Sequence, residues 1–482
     1  MKKILFTLLV ATLVFVGGVR TVIADRTSSR VSVFPDGART VLIGDSITFR
    51  NGINNPLTVT SSVANSVQNL YYFNWLNALT GHPFNVVKNA GVSSETTSQM
   101  LARFSTDVLG FSPTTVSIMG GTNDLQLIAT STSISNLTSM ADQSLSAGSY
   151  VILWTIPPRS GTGGNPLDPQ SRSQRSVINQ ALRSYALLKP NVLLCDTEEF
   201  TSDPISTTGI SGFGGWLAGF ASDGVHPSSV TSTYRMAQNC VDQVKRLFKP
   251  FQLIKSASDT FDGAGSPGKG LRAEGQNILT HSISILNGTG GSVAAGGGLI
   301  SGSGPSGTTV QVNSGTPTIV VSQGSTTVET LLPTGAVGTT TSQSSRYIQF
   351  EVGATGASSA SYLYQTSTTT IFTLGKFYEF SGVLEIVNGA ANVHNIQIAT
   401  RVSGGSANFT RDLDSTSNTA STVFPLTSKL TFVTPRLPIT AADTNIRFEI
   451  SFGTPAPSAG TATTTLRVSN LAWREYSTAQ PQ

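Results

Sequence analysis

Ser46 stands in Gly44-Asp45-Ser46, directly after the apolar run Thr40-Val41-Leu42-Ile43. If that run is a strand of an open α/β sheet, Ser46 lies at its carboxyl end, where such sheets bind ligands and a hydroxyl nucleophile belongs. Hydroxyl attack needs a base, and the first 250 residues hold two histidines, His82 and His226. His226 lies in Ser222-Asp223-Gly224-Val225-His226-Pro227, three residues after an acid. That spacing lets a carboxylate hold one imidazole nitrogen, fix the tautomer and stabilise the imidazolium formed when Ser46 gives up its proton. His82, in Gly81-His82-Pro83, has no such neighbour and reads as a loop residue.

Acyl transfer also needs donors aimed at a developing oxyanion. Asn89-Ala90-Gly91 follows a second apolar run, and there Gly91 permits close backbone approach and offers its N–H. Gly120-Gly121-Thr122-Asn123-Asp124 follows a third, where the Asn123 amide can donate. Taken singly, each motif is an ordinary turn. Four of them at successive strand ends and before the last helix are hard to attribute to turns.

The elements that would position these residues follow from periodicity. Short β-branched or aliphatic runs at Thr40–Ile43, Phe84–Lys88, Thr115–Met119, Tyr150–Thr155 and Val192–Cys195 alternate with stretches of helical period. Ile134, Leu137, Met140, Ala141 and Leu145 share one helical face, with Gly148 as a stop, and Tyr234, Ala237, Val241, Val244 and Phe248 form a closing helix. The fold class is therefore α/β, a three-layer α/β/α domain on a five-stranded parallel sheet. The polar segment Arg50–Gln68 fits neither period and reads as a loop. Beyond Pro250 the chain turns rich in Gly, Ser and Thr, and then alternates apolar and polar residues at Tyr347–Val352, Thr370–Leu374, Phe377–Val387, Ile396–Val402, Leu430–Val433, Ile446–Phe452 and Leu466–Tyr476. That pattern predicts an antiparallel β-sandwich.

GDSIT at Gly44–Thr48, NAG at Asn89–Gly91, GTND at Gly121–Asp124 and DGVHP at Asp223–Pro227 resemble, in order, the four blocks of the SGNH (GDSL-type) hydrolases. The resemblance covers about 39 to 248 and leaves the sandwich unaccounted for. It implies Ser46 as nucleophile and first oxyanion donor through its N–H, Gly91 and Asn123 as the other donors, and His226 as general base and acid oriented by Asp223. One departure is visible: a Gly is common shortly after the second block's Gly, whereas this chain has Ser93-Ser94. Members of that family hydrolyse lipids, aryl esters, thioesters and acetylated sugars, so the resemblance implies a reaction type more than a substrate.

The 482 residues divide into a signal peptide (1–24), an esterase domain (25–250), a linker (251–274) and a sandwich (275–482). Lys2-Lys3, an apolar run from Ile4 to Val19 and Val22-Ile23-Ala24 have the order of an export signal, and at 16 residues the run falls short of the ~20 needed to span hydrocarbon. The net charge of +4 includes Lys2, Lys3 and Arg20; without them 27 basic residues face 26 acidic ones. With 12% charged residues, this composition speaks against a nucleic-acid partner and for an uncharged or small one. The expected location is outside the cytoplasm, without stable membrane insertion. There Cys195 and Cys240 can pair, or they are two buried small side chains. No metal-ligand cluster or dinucleotide fingerprint is apparent, so no cofactor is expected.

Substrate clues are sparse. Arg159, leaving the fourth strand, meets a substrate oxygen or is a solvated charge. Trp216 covers a sugar face or seals its loop. The closing segment Leu466–Tyr476 is similar to the last strand of jelly-roll sugar-binding modules, with Trp473 and Tyr476 as stacking candidates on opposite faces. The expectation is a secreted serine esterase acting on O-acetyl groups of a polysaccharide. Two alternatives stand beside it: a glycan-binding surface or virion attachment protein with secondary or no esterase activity, and a secreted lipase or arylesterase.

Overall fold

Five parallel strands carry the amino-terminal domain: β1 (Ala38–Gly44), β2 (Phe84–Gly91), β3 (Thr115–Met119), β4 (Tyr150–Trp154) and β5 (Val192–Cys195). The computed structural model describes residues 37–51, 66–68, 71–159, 168–203, 215–227, 230–248 and 250, and, further along, strands and short turns between 276 and 477. The expected signal peptide (1–24) and linker (251–274) lie outside the described residues. The spatial order is β2-β1-β3-β4-β5, so the winding direction reverses beside β1. At such a reversal the loops leaving neighbouring strands part and open a crevice. Gly44 pairs with Gly91 on one side and with Met119 on the other, which brings the three motif-bearing strand ends level.

The helices are α1 (Ser46–Phe49), α2 (Tyr72–Leu79), α3 (Thr97–Asp107), α4 (Thr130–Ser146), α5 (Pro169–Leu188), α6 (Thr197–Thr201), α7 (Val230–Gln238) and α8 (Val241–Leu247). Strand alternation sends side chains to both faces. Val41 and Ile43 join Met100, Phe104, Leu137, Met140, Ile178 and Leu182 from α3, α4 and α5. Leu42 joins Phe73, Leu76, Met236 and Val244 from α2, α7 and α8. The result is a three-layer α/β/α domain. Local chemistry starts and stops its helices: Gln99 accepts the N–H of Thr96 ahead of α3, Asp168 accepts that of Ser171 at the start of α5, and Gly148 takes φ +83° after α4. The expected single closing helix is instead two, α7 and α8, interrupted at Asn239 and Cys240.

Two mainly antiparallel sheets follow. One runs, in spatial order, through Ser66–Gln68, Phe409–Asp414, Asn395–Ser403, Asn445–Thr454, Ser358–Ser367, Thr308–Ser314 and Ser292–Ala294. The other runs through Ser428–Val433, Phe377–Asn388, Thr464–Tyr476, Gln343–Ala354, Pro317–Val328 and Leu299–Gly302, with short flanking pairs at Leu437–Pro438 and Gln276–Asn277. The sheets interleave aromatic rings: Phe380 of one stacks on Phe448 of the other at 4.2 Å between centroids, and Trp473 meets Phe448 edge-on at 5.6 Å. Of the expected strand Thr370–Leu374, the first three residues lie outside the described residues, and Thr373 and Leu374 are not in a strand.

The segment read from sequence as one loop, Arg50–Gln68, contains the edge strand Ser66–Gln68, which pairs in parallel with Phe409–Asp414. Three residues, of which only Val67 is apolar, are too few to show a periodicity, so only the partner strand reveals them.

Among the described residues no helix is long and apolar enough to cross a membrane.

Candidate active site

β1 ends where Gly44 touches β3: a Cβ there would lie 2.1 Å from the Met119 carbonyl and 2.1 Å from Thr48 Oγ1. The chain then turns into α1, with Asp45 as its N-cap accepting the Ile47 N–H at 2.9 Å. Ser46 is the first residue of the helix and partly exposed, while Ile47 and Thr48 are buried. Its N–H has no intrahelical partner and is available to an anion.

His226 Nε2 lies 2.7 Å from Ser46 Oγ, and His226 Nδ1 lies 2.6 Å from Asp223 Oδ2. Asp223 Oδ1 accepts the N–H groups of His226 at 2.7 Å and Val225 at 2.9 Å. The Asp223 carboxyl lies below the usual carboxylate range: burial pushes it up, but the His226 N–H, the imidazole and the Val225 N–H together outweigh burial. An ionised carboxylate only accepts, so the imidazole proton sits on Nδ1 and Nε2 faces the hydroxyl as an acceptor. Gly224 at φ +74° makes the turn tight enough for the acid and base of one short loop to meet. A disulfide joins Cys195, at the end of β5, to Cys240, beyond α7, across a sequence separation of 45. The closed span includes Asp223 and His226, so the crosslink ties both ends of the catalytic loop's segment to the sheet.

Asn123 follows β3, beside the Ser46 strand. Its amide donates to the Glu95 carbonyl at 3.0 Å, which leaves its second N–H unspent. Asp124 beneath it is fully buried and accepts the Thr97 N–H at 2.8 Å, the Thr97 hydroxyl and the Ser133 hydroxyl, binding this loop to α3 and α4.

Gly91 does not play the part expected of it. Its N–H donates to Asn89 Oδ1 at 2.9 Å, a side chain reaching two residues onward as asparagine does in turns. What requires glycine is packing: a Cβ would lie 2.2 Å from the backbone nitrogen of Phe49. Further along the same loop Ser94 adopts φ +66°, the conformation glycine favours, at the place where sequence marked the departure Ser93-Ser94. Within the described residues the Ser94 N–H makes no hydrogen bond. That unusual serine pair was the one signal that could have redirected attention from Gly91.

Arg159 is half-buried and donates to the carbonyl of Thr122, adjoining Asn123, so it braces the third loop and is not a solvated charge. Trp216 is 1% exposed and seals its loop; its ring faces no sugar. The sandwich candidates are corrected likewise. Trp473 is 0% exposed among core rings, and Tyr476, at 6%, lies beneath the Arg436 guanidinium and bonds Glu379 at 3.2 Å. The two residues do point to opposite faces, but both faces are covered.

Asp45, the middle residue of the first motif, is a buried acid. Burial pushes its carboxyl up to about 7, with the Asp124 charge adding to the rise and the Ile47 N–H and Arg159 opposing it.

Residues 42–231 match the family described as GDSL-like Lipase/Acylhydrolase. No curated protein matches the chain. Among solved structures, a GDSL-like lipase from Bacteroides thetaiotaomicron is 17% identical, covering 47% of this chain and 97% of its own at a TM-score of 0.33. A catalytic mutant of an acetylxylan esterase from Geobacillus stearothermophilus is 21% identical, covering 45% and 98%, also at 0.33. An alpha/beta hydrolase from the metagenome of Lake Arreo is 22% identical, covering 45% and 99% at 0.34.

Proposed function

From the match of residues 42–231 to the GDSL-like lipase/acylhydrolase family, we propose that this chain is a secreted serine esterase that removes O-acetyl groups from a polysaccharide through an acyl-enzyme. The observation that carries the reading is the unbroken line from Asp223 Oδ2 through His226 to Ser46 Oγ, with spacings of 2.6 and 2.7 Å.

Ser46 Oγ bonds to the ester carbonyl carbon while His226 Nε2 takes the hydroxyl proton. The carbonyl electron pair moves onto oxygen, where the Ser46 N–H and the free N–H of Asn123 stabilise it. As the intermediate collapses, the sugar alcohol departs with the proton from Nε2. Water, deprotonated by the same nitrogen, then releases acetate and restores Ser46. Asp223 stays an acceptor throughout and holds the imidazolium.

Three features support the finer parts of the reading. Ser46 is partly exposed and Asp223 is 48% exposed, so an ester borne on a bulky chain can reach them. The leader 1–24 has the order of an export signal, and a disulfide suits an oxidising compartment. A chain this close to neutral suits an uncharged polymer. The attachment-protein alternative loses its proposed stacking rings, both of which are buried.

Two measurements test this. Ser46→Ala should abolish p-nitrophenyl acetate hydrolysis with the fold intact, and rapid-quench mass spectrometry of the parent should trap one acetyl group on Ser46; turnover retained by Ser46→Ala rejects the nucleophile. Acetate release from a panel of acetylated polysaccharides, set against p-nitrophenyl esters of increasing chain length, tests the substrate. Greater activity on long acyl chains than on any acetylated glycan overturns it in favour of a lipase.

A further inference from the structure

The loop joining β2 to α3 carries the Ser94 N–H and the Glu95 carbonyl on which the Asn123 amide rests, and its shape is held from outside by one side chain. Arg103, on α3, donates through Nη2 to the Ala90 carbonyl at 2.6 Å. It also grips the Glu95 carboxylate through Nε at 2.9 and 3.0 Å and through Nη2 at 2.6 Å. Its remaining nitrogen, Nη1, bonds Asp107 one turn along the helix at 2.9 Å.

These contacts fall on meaningful atoms. The Ala90 carbonyl and the Gly91 N–H belong to one planar peptide unit, and Asn89 holds the N–H end while Arg103 holds the oxygen end. Glu95 is where the Asn123 amide rests, through its backbone carbonyl. A single guanidinium thus pins both feet of the turn 91–94 and, through Glu95, the one side-chain donor at the site. Arg103 and Glu95 are mostly buried, at 19% and 14% side-chain exposure, so the fork is shielded from competing water.

We propose that Arg103 is a positioning residue of the oxyanion hole: it touches neither nucleophile nor substrate, but aims the β2–α3 loop and the Asn123 amide at the carbonyl oxygen. The inference rests on the Ser46 esterase reading. A donor matters here only as charge develops, so its misplacement slows the chemical step and leaves ground-state binding alone.

The test compares full-length Arg103→Met, Arg103→Lys and Asp107→Asn on p-nitrophenyl acetate, with inhibition by a boronic acid whose serine adduct is tetrahedral. Arg103→Met should lower kcat about 10- to 100-fold with KM within about twofold, and weaken boronate inhibition by the same factor. Arg103→Lys, which replaces a fork by a point charge, should fall in between and carries the test if the Met variant does not fold. Asp107→Asn removes only the contact within α3 and should stay within about twofold of the parent. A kcat unchanged in the Met and Lys variants, a rise in KM in place of the fall in kcat, or an equal loss in Asp107→Asn overturns the inference. Activity in Ser46→Ala would instead overturn the underlying reading, so the two failures are distinguishable.

Discussion

Replacing Asp45 by Asn should change how stability depends on pH, and the structure sets the sign and size. Asp45 is 1% exposed at the head of α1, and its carboxyl is raised from 3.8 to about 7, chiefly by burial. Between those values the folded protein holds a proton that the unfolded chain has released. Unfolding therefore becomes easier as pH rises through this window, and the contribution is lost in full above about 7. At about 1.4 kcal/mol per unit, the loss is on the order of 4 kcal/mol. Asparagine caps a helix about as well as aspartate and keeps the oxygen that accepts the Ile47 N–H, but carries no charge. Urea unfolding followed by tryptophan fluorescence at several pH values from 4 to 8.5 reads the comparison, and titrations elsewhere in the chain cancel between the two proteins. The stability of Asp45→Asn relative to the parent should climb by a few kcal/mol across that range. A difference that is flat with pH, or that narrows, refutes the assignment of a raised carboxyl beneath the nucleophile.

Asp223→Asn presents an amide N–H to Nδ1, which moves the imidazole proton to Nε2 and turns its acceptor toward the wrong partner; kcat should fall about 10²- to 10⁴-fold, and a loss under threefold in steady-state assays would contradict the tautomer argument. Asn123→Ala removes an oxyanion donor, so kcat should drop about 10²- to 10³-fold with KM nearly constant, whereas a change confined to KM would assign Asn123 to ground-state binding. Replacing Cys195 and Cys240 together by Ser opens a loop spanning 45 positions, for which chain entropy suggests a loss of about 4 kcal/mol. Thermal unfolding of that variant indistinguishable from the parent would mean the crosslink is absent from the native protein.

The parallel sheet was legible because its strands, largely buried on both faces, stand as short runs rich in apolar residues between helical periods. All five appear within a few residues of their expected places. The sandwich strand Asn445–Thr454 was legible for a different reason, the alternation of Ile446, Phe448, Ile450 and Phe452 with polar residues. Ser66–Gln68 was not, because an edge strand of three residues is too short to show a period and is revealed only by the chain it pairs with. The surface aromatics misled because burial is decided by what covers a face. Alternation correctly placed Trp473 and Tyr476 on opposite sides of their strand, but it says nothing of Arg436 lying over the second ring.

The candidate site divides along the same line. Residue types and their order along the chain were sufficient to name Ser46, Asn123, Asp223 and His226 as candidates, since the capacity to act as nucleophile, donor, acid or base is a property of side chains read one at a time. Only the tertiary structure decided that His226 Nε2 meets Ser46 Oγ across 180 positions, that Asn89 takes the Gly91 N–H, and that Arg103 braces the loop between them. Hydrogen bonds form between atoms a few ångströms apart, and distances between remote segments are set by how the sheet winds and the core packs, which no local pattern of residues records.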